Sequence, residues 1–120
     1  MDHTIVHFEI PASNVKTLSE FYSKLFGWKF TVAPGDYWLI ETAPQGKGVN
    51  GGMMKKQPQM QSPINYIGVE SVADYAAKAQ NLGAKVVMPK MPITGVGYFA
   101  VILDLEGNAI GLFQDDKNVN

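Results

Sequence analysis

Val6–Phe30, VHFEIPASNVKTLSEFYSKLFGWKF, is the stretch whose reading decides the fold. From Thr4 to Ile10 the side chains alternate, so Val6, Phe8 and Ile10 share one face of a strand while Ile5, His7 and Glu9 share the other. Pro11 has no N–H to give and is expected to end the pairing. Ser13 or Asn14 can cap a following helix, although neither has Glu or Gln three residues on to complete a capping box. Val15, Leu18, Tyr22 and Leu25 then recur at helical spacing as a core-facing stripe, with Lys16, Ser19, Glu20 and Lys24 expected on the opposite side. Gly27 sits where a left-handed residue would stop the helix, and Trp28 to Ala33 starts a second strand.

Working outward, the same arrangement returns in degenerate form from Ile64 to Met88. Ile64 to Val69 reads as a strand, and Ser71 as a cap with Asp74 at capping-box spacing. Val72, Tyr75, Ala76, Ala79 and Leu82 form the stripe, Gly83 the stop, and Lys85 to Met88 the next strand. In the first copy, Pro34-Gly35-Asp36 turns the chain into a strand from Tyr37 to Thr42, and APQGKG leads to another from Val49 to Met54. In the second copy, PKMPITGVG is long for a hairpin loop, and its TGVGYF portion reads as a flap. Tyr98 to Asp104 and Ala109 to Gln114 are the closing strands, joined at Glu106-Gly107-Asn108. Each half is therefore β-α-β-β-β, with module 1 at about residues 1–54, a polar connector over 55–63 and module 2 at about 64–114, all within one domain, 1–120. The expected class is α+β: two βαβββ modules forming curved mixed sheets around a cleft.

Composition narrows the function classes. With 120 residues, 46% hydrophobic and 18% charged, the chain can bury a core without staples. It has no cysteine, which excludes disulfides, thiolate nucleophiles and cysteine-held metals. A formal net charge of -1 and scattered lysines give no footprint for nucleic acid. The start, MDHTIVHFEI, has no charged region followed by an apolar one, and no apolar run approaches the ~20 residues of a membrane helix. A cytoplasmic protein without a membrane partner is expected.

The paired modules, the segment HFEIPASNVKTLSEFYSKLFGW and the closing DLEGNAIGLFQ resemble the vicinal oxygen chelate superfamily, which includes glyoxalase I, bleomycin resistance proteins and extradiol dioxygenases. The resemblance covers nearly the whole chain. It implies a cleft between paired modules, a divalent metal held by His or Glu from the first and last strands of each module, and a homodimer, with strands sometimes exchanged. Carried over by position, His7 occupies the first-strand histidine place, while Tyr66, 59 residues later, falls where the second module would supply its own. Gly111 falls at the usual final glutamate, and Gly52 and Met53 offer no carboxylate. His7 is thus the one usual metal ligand present.

Three readings follow. The first is a protein that binds a small apolar or aromatic organic molecule, with no cofactor and an incomplete metal site, lined by Glu9, Trp38, Met53, Tyr98 and Phe113. The second is a lyase, isomerase or dioxygenase recruiting a divalent metal through His7, Glu9 and a third ligand, for which Glu41 is a candidate. The third is a metal-free enzyme in which His7 acts as general base and Tyr66 donates a proton or orients a substrate oxygen.

Overall fold

The computed structural model of the chain describes residues 3–44, 47–58 and 60–120. The elements run β1 (Ile5–Ala12), α1 (Val15–Phe26), β2 (Lys29–Ala33), β3 (Tyr37–Glu41) and β4 (Gly51–Lys55), then β5 (Ile64–Gly68), α2 (Val72–Asn81), β6 (Lys85–Ile93), β7 (Gly97–Leu103) and β8 (Ala109–Asp115). This is the expected α+β class, with βαβββ used twice. Two compact units result, His7–Ile64 and the residues through Val6 taken with Asn65–Asn120.

In the first unit the strand order is β2-β3-β4-β1. The β1 and β4 strands pair parallel, and the other two pairs are antiparallel. Asn14 caps α1 by accepting from the Thr17 N–H at 3.0 Å, and Gly27 (φ 75°) ends it, its N–H bonding the Ser23 carbonyl at 2.8 Å. The helix lies against a core of Ala12, Ile40 and Met53, completed by Phe8, Ile10, Val15, Leu18, Tyr22, Trp28, Phe30 and Trp38. Burying each large apolar side chain contributes about 1.5–3 kcal/mol. Two expectations about the stripe are corrected. Leu25 is 57% exposed, whereas Ser19, assigned to the outer side, is buried. Ser19 lies four residues after Val15 and three before Tyr22, on the core side of the turn, and its hydroxyl is satisfied by donating to the Lys16 carbonyl at 2.8 Å. Pro11 does not end β1. It pairs across from Met54, and pairing goes on to Ala12, whose carbonyl accepts from the Lys56 N–H at 3.0 Å.

The second unit repeats the plan as β5-β8-β7-β6, with β5 parallel to β8 and the remaining pairs antiparallel. Ser71 caps α2 by accepting from the Asp74 N–H at 3.1 Å. Val69, Val72, Ala100 and Leu112 form its core, with Ile67, Tyr75, Ala76, Tyr98 and Ile102 packed around them. Leu82, expected in the stripe, instead caps the helix end and is exposed. The segment expected as a loop after Met88 continues as strand to Ile93. Register shifts around Met88 absorb the irregularity, and an edge strand tolerates Pro89 and Pro92 because it has one unpaired side.

Candidate functional site

Strand alternation sorts the candidate residues. In β1, Phe8 and Ile10 turn to α1, so His7 and Glu9 occupy the opposite face. The β1–β4 register sets Glu9 beside Gly52, and the β3–β4 register sets Leu39 on its other side. A Cβ built on Gly52 would overlap the hydroxyl end of Tyr37, so the missing side chain is what lets that ring lie across the strand. The Tyr37 hydroxyl comes to rest between two partners: it donates to Glu9 Oε2 at 2.8 Å and lies 2.7 Å from His7 Nε2. The two rings are nearly parallel, 18° apart, with centroids 6.3 Å apart.

This chain of bonds has a direction. Tyr37 has one proton, and Glu9 takes it, so the phenolic oxygen must accept from His7. Neutral His7 is then protonated on Nε2, with the lone pair on Nδ1. Burial pushes the His7 pKa below its ordinary value, and the Glu9 carboxylate opposes this only in part. Near neutral pH the ring is uncharged.

His7 also lines a depression of about 380 Å³ together with Lys29, Thr31, Leu39, Ile40, Glu41, Asn50 and Gly51. Glu41 thus joins His7, because β3 alternates Tyr37, Leu39 and Glu41 on one face against Trp38 and Ile40 on the other. A second hollow of about 580 Å³ beside the start of α1 includes Ser13, Asn14, Asp36, Trp38 and Lys55, and none of the hydrogen-bonded triad.

In the second unit the last-strand glycine plays a similar part. Tyr66 pairs with Gly111, and a Cβ on Gly111 would overlap the Tyr66 ring. Tyr66 is buried, meeting Phe99 edge-on at 6.4 Å between centroids, and Phe99 pairs across from Phe113. The helix caps Asn14 and Ser71 lie 57 residues apart, and both Glu9 and Tyr66 pair with the glycine of their module's last strand, so Tyr66 corresponds in place to Glu9.

The structure therefore brings His7 and Glu9 together and adds Tyr37, which the sequence placed only at the start of a strand. The signal available for it was the alternation through β3 combined with the paired glycines of β4. Tyr66 lies in the other unit. Met53 is fully buried in the first core, Trp38 packs against that core, and Tyr98 packs on the α2 side beneath Lys90, whose Nζ stands 4.1 Å from the ring centroid. Phe113 alternates with core-facing Leu112 and so shares the Gly111 face. His3 bonds the Tyr75 hydroxyl at 2.9 Å instead of joining His7.

The divalent metal implied by the resemblance is poorly matched by these side chains. Among the described residues, no three of His, Cys, Asp or Glu come together as a ligand set. His7 and Glu9 are both bonded to Tyr37, and the Gly111 position that would need a carboxylate is covered by the Tyr66 ring.

Comparison with known proteins agrees with the architecture. Residues 4–112 match the model of the Glyoxalase/Bleomycin resistance protein/Dioxygenase superfamily, and the chain belongs to that superfamily. Curated relatives described as putative glyoxylase CFP32, from Mycobacterium bovis and Mycobacterium tuberculosis, are 26% identical over 118 residues, covering 92% of this chain. The chain spans 45% of their length. Among solved structures, hypothetical protein BH1468 from Bacillus halodurans superposes with a TM-score of 0.72 at 13% identity, covering 100% of this chain and 99% of that one. Methylmalonyl-CoA epimerase from Mycobacterium tuberculosis gives 0.67 at 14% identity, covering 93% and 87% respectively. At these identities the structural likeness is one of fold. No helix among the described residues is long and apolar enough to cross a membrane.

Proposed function

We propose that this chain binds a small organic molecule on the sheet face that carries His7, and does so without the divalent metal used elsewhere in its superfamily. The observation that carries the reading is the His7–Tyr37–Glu9 chain of hydrogen bonds beside a depression of about 380 Å³. That volume is within the range of small-molecule sites, and Leu39 and the β-sheet backbone provide contact area between a few polar groups. The alternative metal-dependent lyase, isomerase or dioxygenase is less well supported, because His7 and Glu9 are committed to Tyr37 and the described residues offer no third ligand beside them. The metal-free enzyme with His7 as base draws support from its uncharged imidazole, and the observed hydrogen bond from that ring goes to Tyr37.

The working form we propose is a cytoplasmic homodimer. Phe21, Leu25 and Phe26 leave an apolar face on α1, each more than half exposed, which supports pairing with a second copy. Light scattering after size exclusion tests the dimer. The ligand reading is tested by ligand-observed NMR against a library of one- and two-ring compounds, with wild type and His7→Ala compared. Compounds bound by wild type and released by the variant support it. A folded wild type that binds none at millimolar concentration overturns it.

A further inference from the structure

The two units carry the same turn between their second and third strands. Ala33 pairs with Tyr37 to close one and Ile93 with Gly97 to close the other, and Gly35 (φ 78°) and Gly95 (φ 72°) hold the same left-handed place within them. The last strands correspond too, because Lys55 and Gln57 follow Gly52 at the spacing with which Gln114 and Asp116 follow Gly111. In the second unit the segment after β8 crosses this turn. The Asp116 N–H donates to the Val96 carbonyl at 2.9 Å, the Gly95 N–H donates to the Val119 carbonyl at 2.8 Å, and Val119 is buried. In the first unit the chain leaves β4 differently: Gln57 and Met60 exchange backbone bonds of 3.3 and 2.9 Å, which folds the connector back on itself. The hollow of about 580 Å³ lies at the corresponding place, lined by Gly35, Asp36, Trp38, Lys55 and Gln57 among others. Their counterparts in the second unit are Gly95, Val96, Tyr98, Gln114 and Asp116.

We propose that this hollow is a docking site for an extended peptide segment of a partner protein, which sets a branched aliphatic side chain into it and a backbone carbonyl against the Gly35 turn. The segment Asp116–Val119 is the internal precedent, a peptide held at the matching turn of the second unit. Such segments take affinity from main-chain hydrogen bonds and specificity from the side chain that fills the pocket. Charge narrows the sequence further. Lys55 lines the hollow and Lys56 follows it, where the second unit has Gln114 and Asp115, so an acidic residue beside the aliphatic one is favoured even with Asp36 nearby. The partner is a different protein and not a second copy, because the matching segment of this chain is already engaged at Gly95 and Val96 of its own unit. The hollow shares no lining residue with the His7 depression, so this site goes beyond the ligand reading above and is tested apart from it.

The test is ¹⁵N NMR of the full chain titrated with an acetylated peptide of the sequence Asp115–Asn120, which supplies both the acidic residues and the valine. Saturable shifts are expected at the Gly35, Asp36 and Gln57 amides and at the Trp38 indole N–H, with a Kd of about 1 mM. Val119→Asp in the peptide should weaken binding about tenfold, the worth of burying one valine. Lys55→Glu in the protein changes an exposed side chain and should weaken the unaltered peptide about two- to fivefold. Shifts confined to Gly95 and Val96, equal binding of the two peptides, or no saturable shift at the hollow with ~10 mM peptide each overturns the inference. So do shifts at the hollow that follow protein concentration with no peptide added, since those report a second copy.

Discussion

Removing one oxygen, in Tyr37→Phe, tests the centre of the site. The hydroxyl makes bonds of 2.7 Å to His7 and 2.8 Å to Glu9, and the ring is kept, so the packing over Gly52 stays filled. A net hydrogen bond contributes about 0.5–1.5 kcal/mol between neutral groups and about 1.5–3 kcal/mol to a charged one. All three residues are half-buried, so water recovers part of that loss. The expected destabilisation is about 1–2 kcal/mol, which in urea moves the midpoint by roughly 0.5–1 M. The same change should be visible on the imidazole. In wild type, ¹⁵N shifts of His7 should show a protonated Nε2 and an unprotonated Nδ1, and in the variant the two nitrogens should move toward each other as the tautomers mix. A wild-type spectrum with the proton on Nδ1, or a variant unchanged in both midpoint and shifts, refutes the direction assigned to the network.

Other outcomes follow from the same contacts. Gly111→Ala puts a Cβ into the Tyr66 ring and should destabilise by more than the usual surface change, with Tyr66→Ala restoring much of the loss; additive effects in chemical denaturation would show that the ring and the glycine are not coupled. Met53→Ala empties a fully buried position and should cost about 2–5 kcal/mol by urea unfolding, against about 1 kcal/mol for removing the Asn14 helix cap with Asn14→Ala. His7 has a lowered pKa in the folded chain, so as pH falls below its ordinary 6.5 the unfolded chain takes up a proton that the folded one resists. Stability should therefore be lost as pH falls through that value toward the folded pKa, and His7→Gln should flatten this part of the profile.

The repeated module was legible because its punctuation is local. Asn14, Gly27 and Ser71 act within a few residues of themselves, and their capping roles follow from the residue types alone. Ser19 and Leu25 were misplaced because the stripe was drawn from apolar residues alone, while a small hydroxyl that bonds its own helix can take a buried place as readily. Pro11 was read as the end of β1 and the segment holding Pro89 and Pro92 as a loop, but β1 runs on to Ala12 and the edge strand β6 runs through both prolines to Ile93. The site was harder to see. His7 and Glu9 were visible as neighbours on one strand face, but Tyr37 reaches them across β4, and that requires the register between strands far apart in sequence. The two glycines at Gly52 and Gly111 looked like missing ligands. In the folded chain each is a place where a tyrosine ring lies.

The most direct measurement is calorimetric titration of untagged protein with Zn²⁺, Mn²⁺, Ni²⁺ and Fe²⁺, each repeated with His7→Ala. With His7 and Glu9 held by Tyr37, this account expects no stoichiometric binding at micromolar metal and no difference between the two proteins. One equivalent of any of these ions, bound at micromolar concentration and lost in His7→Ala, would contradict it and place the chain with the metal-dependent enzymes of its superfamily.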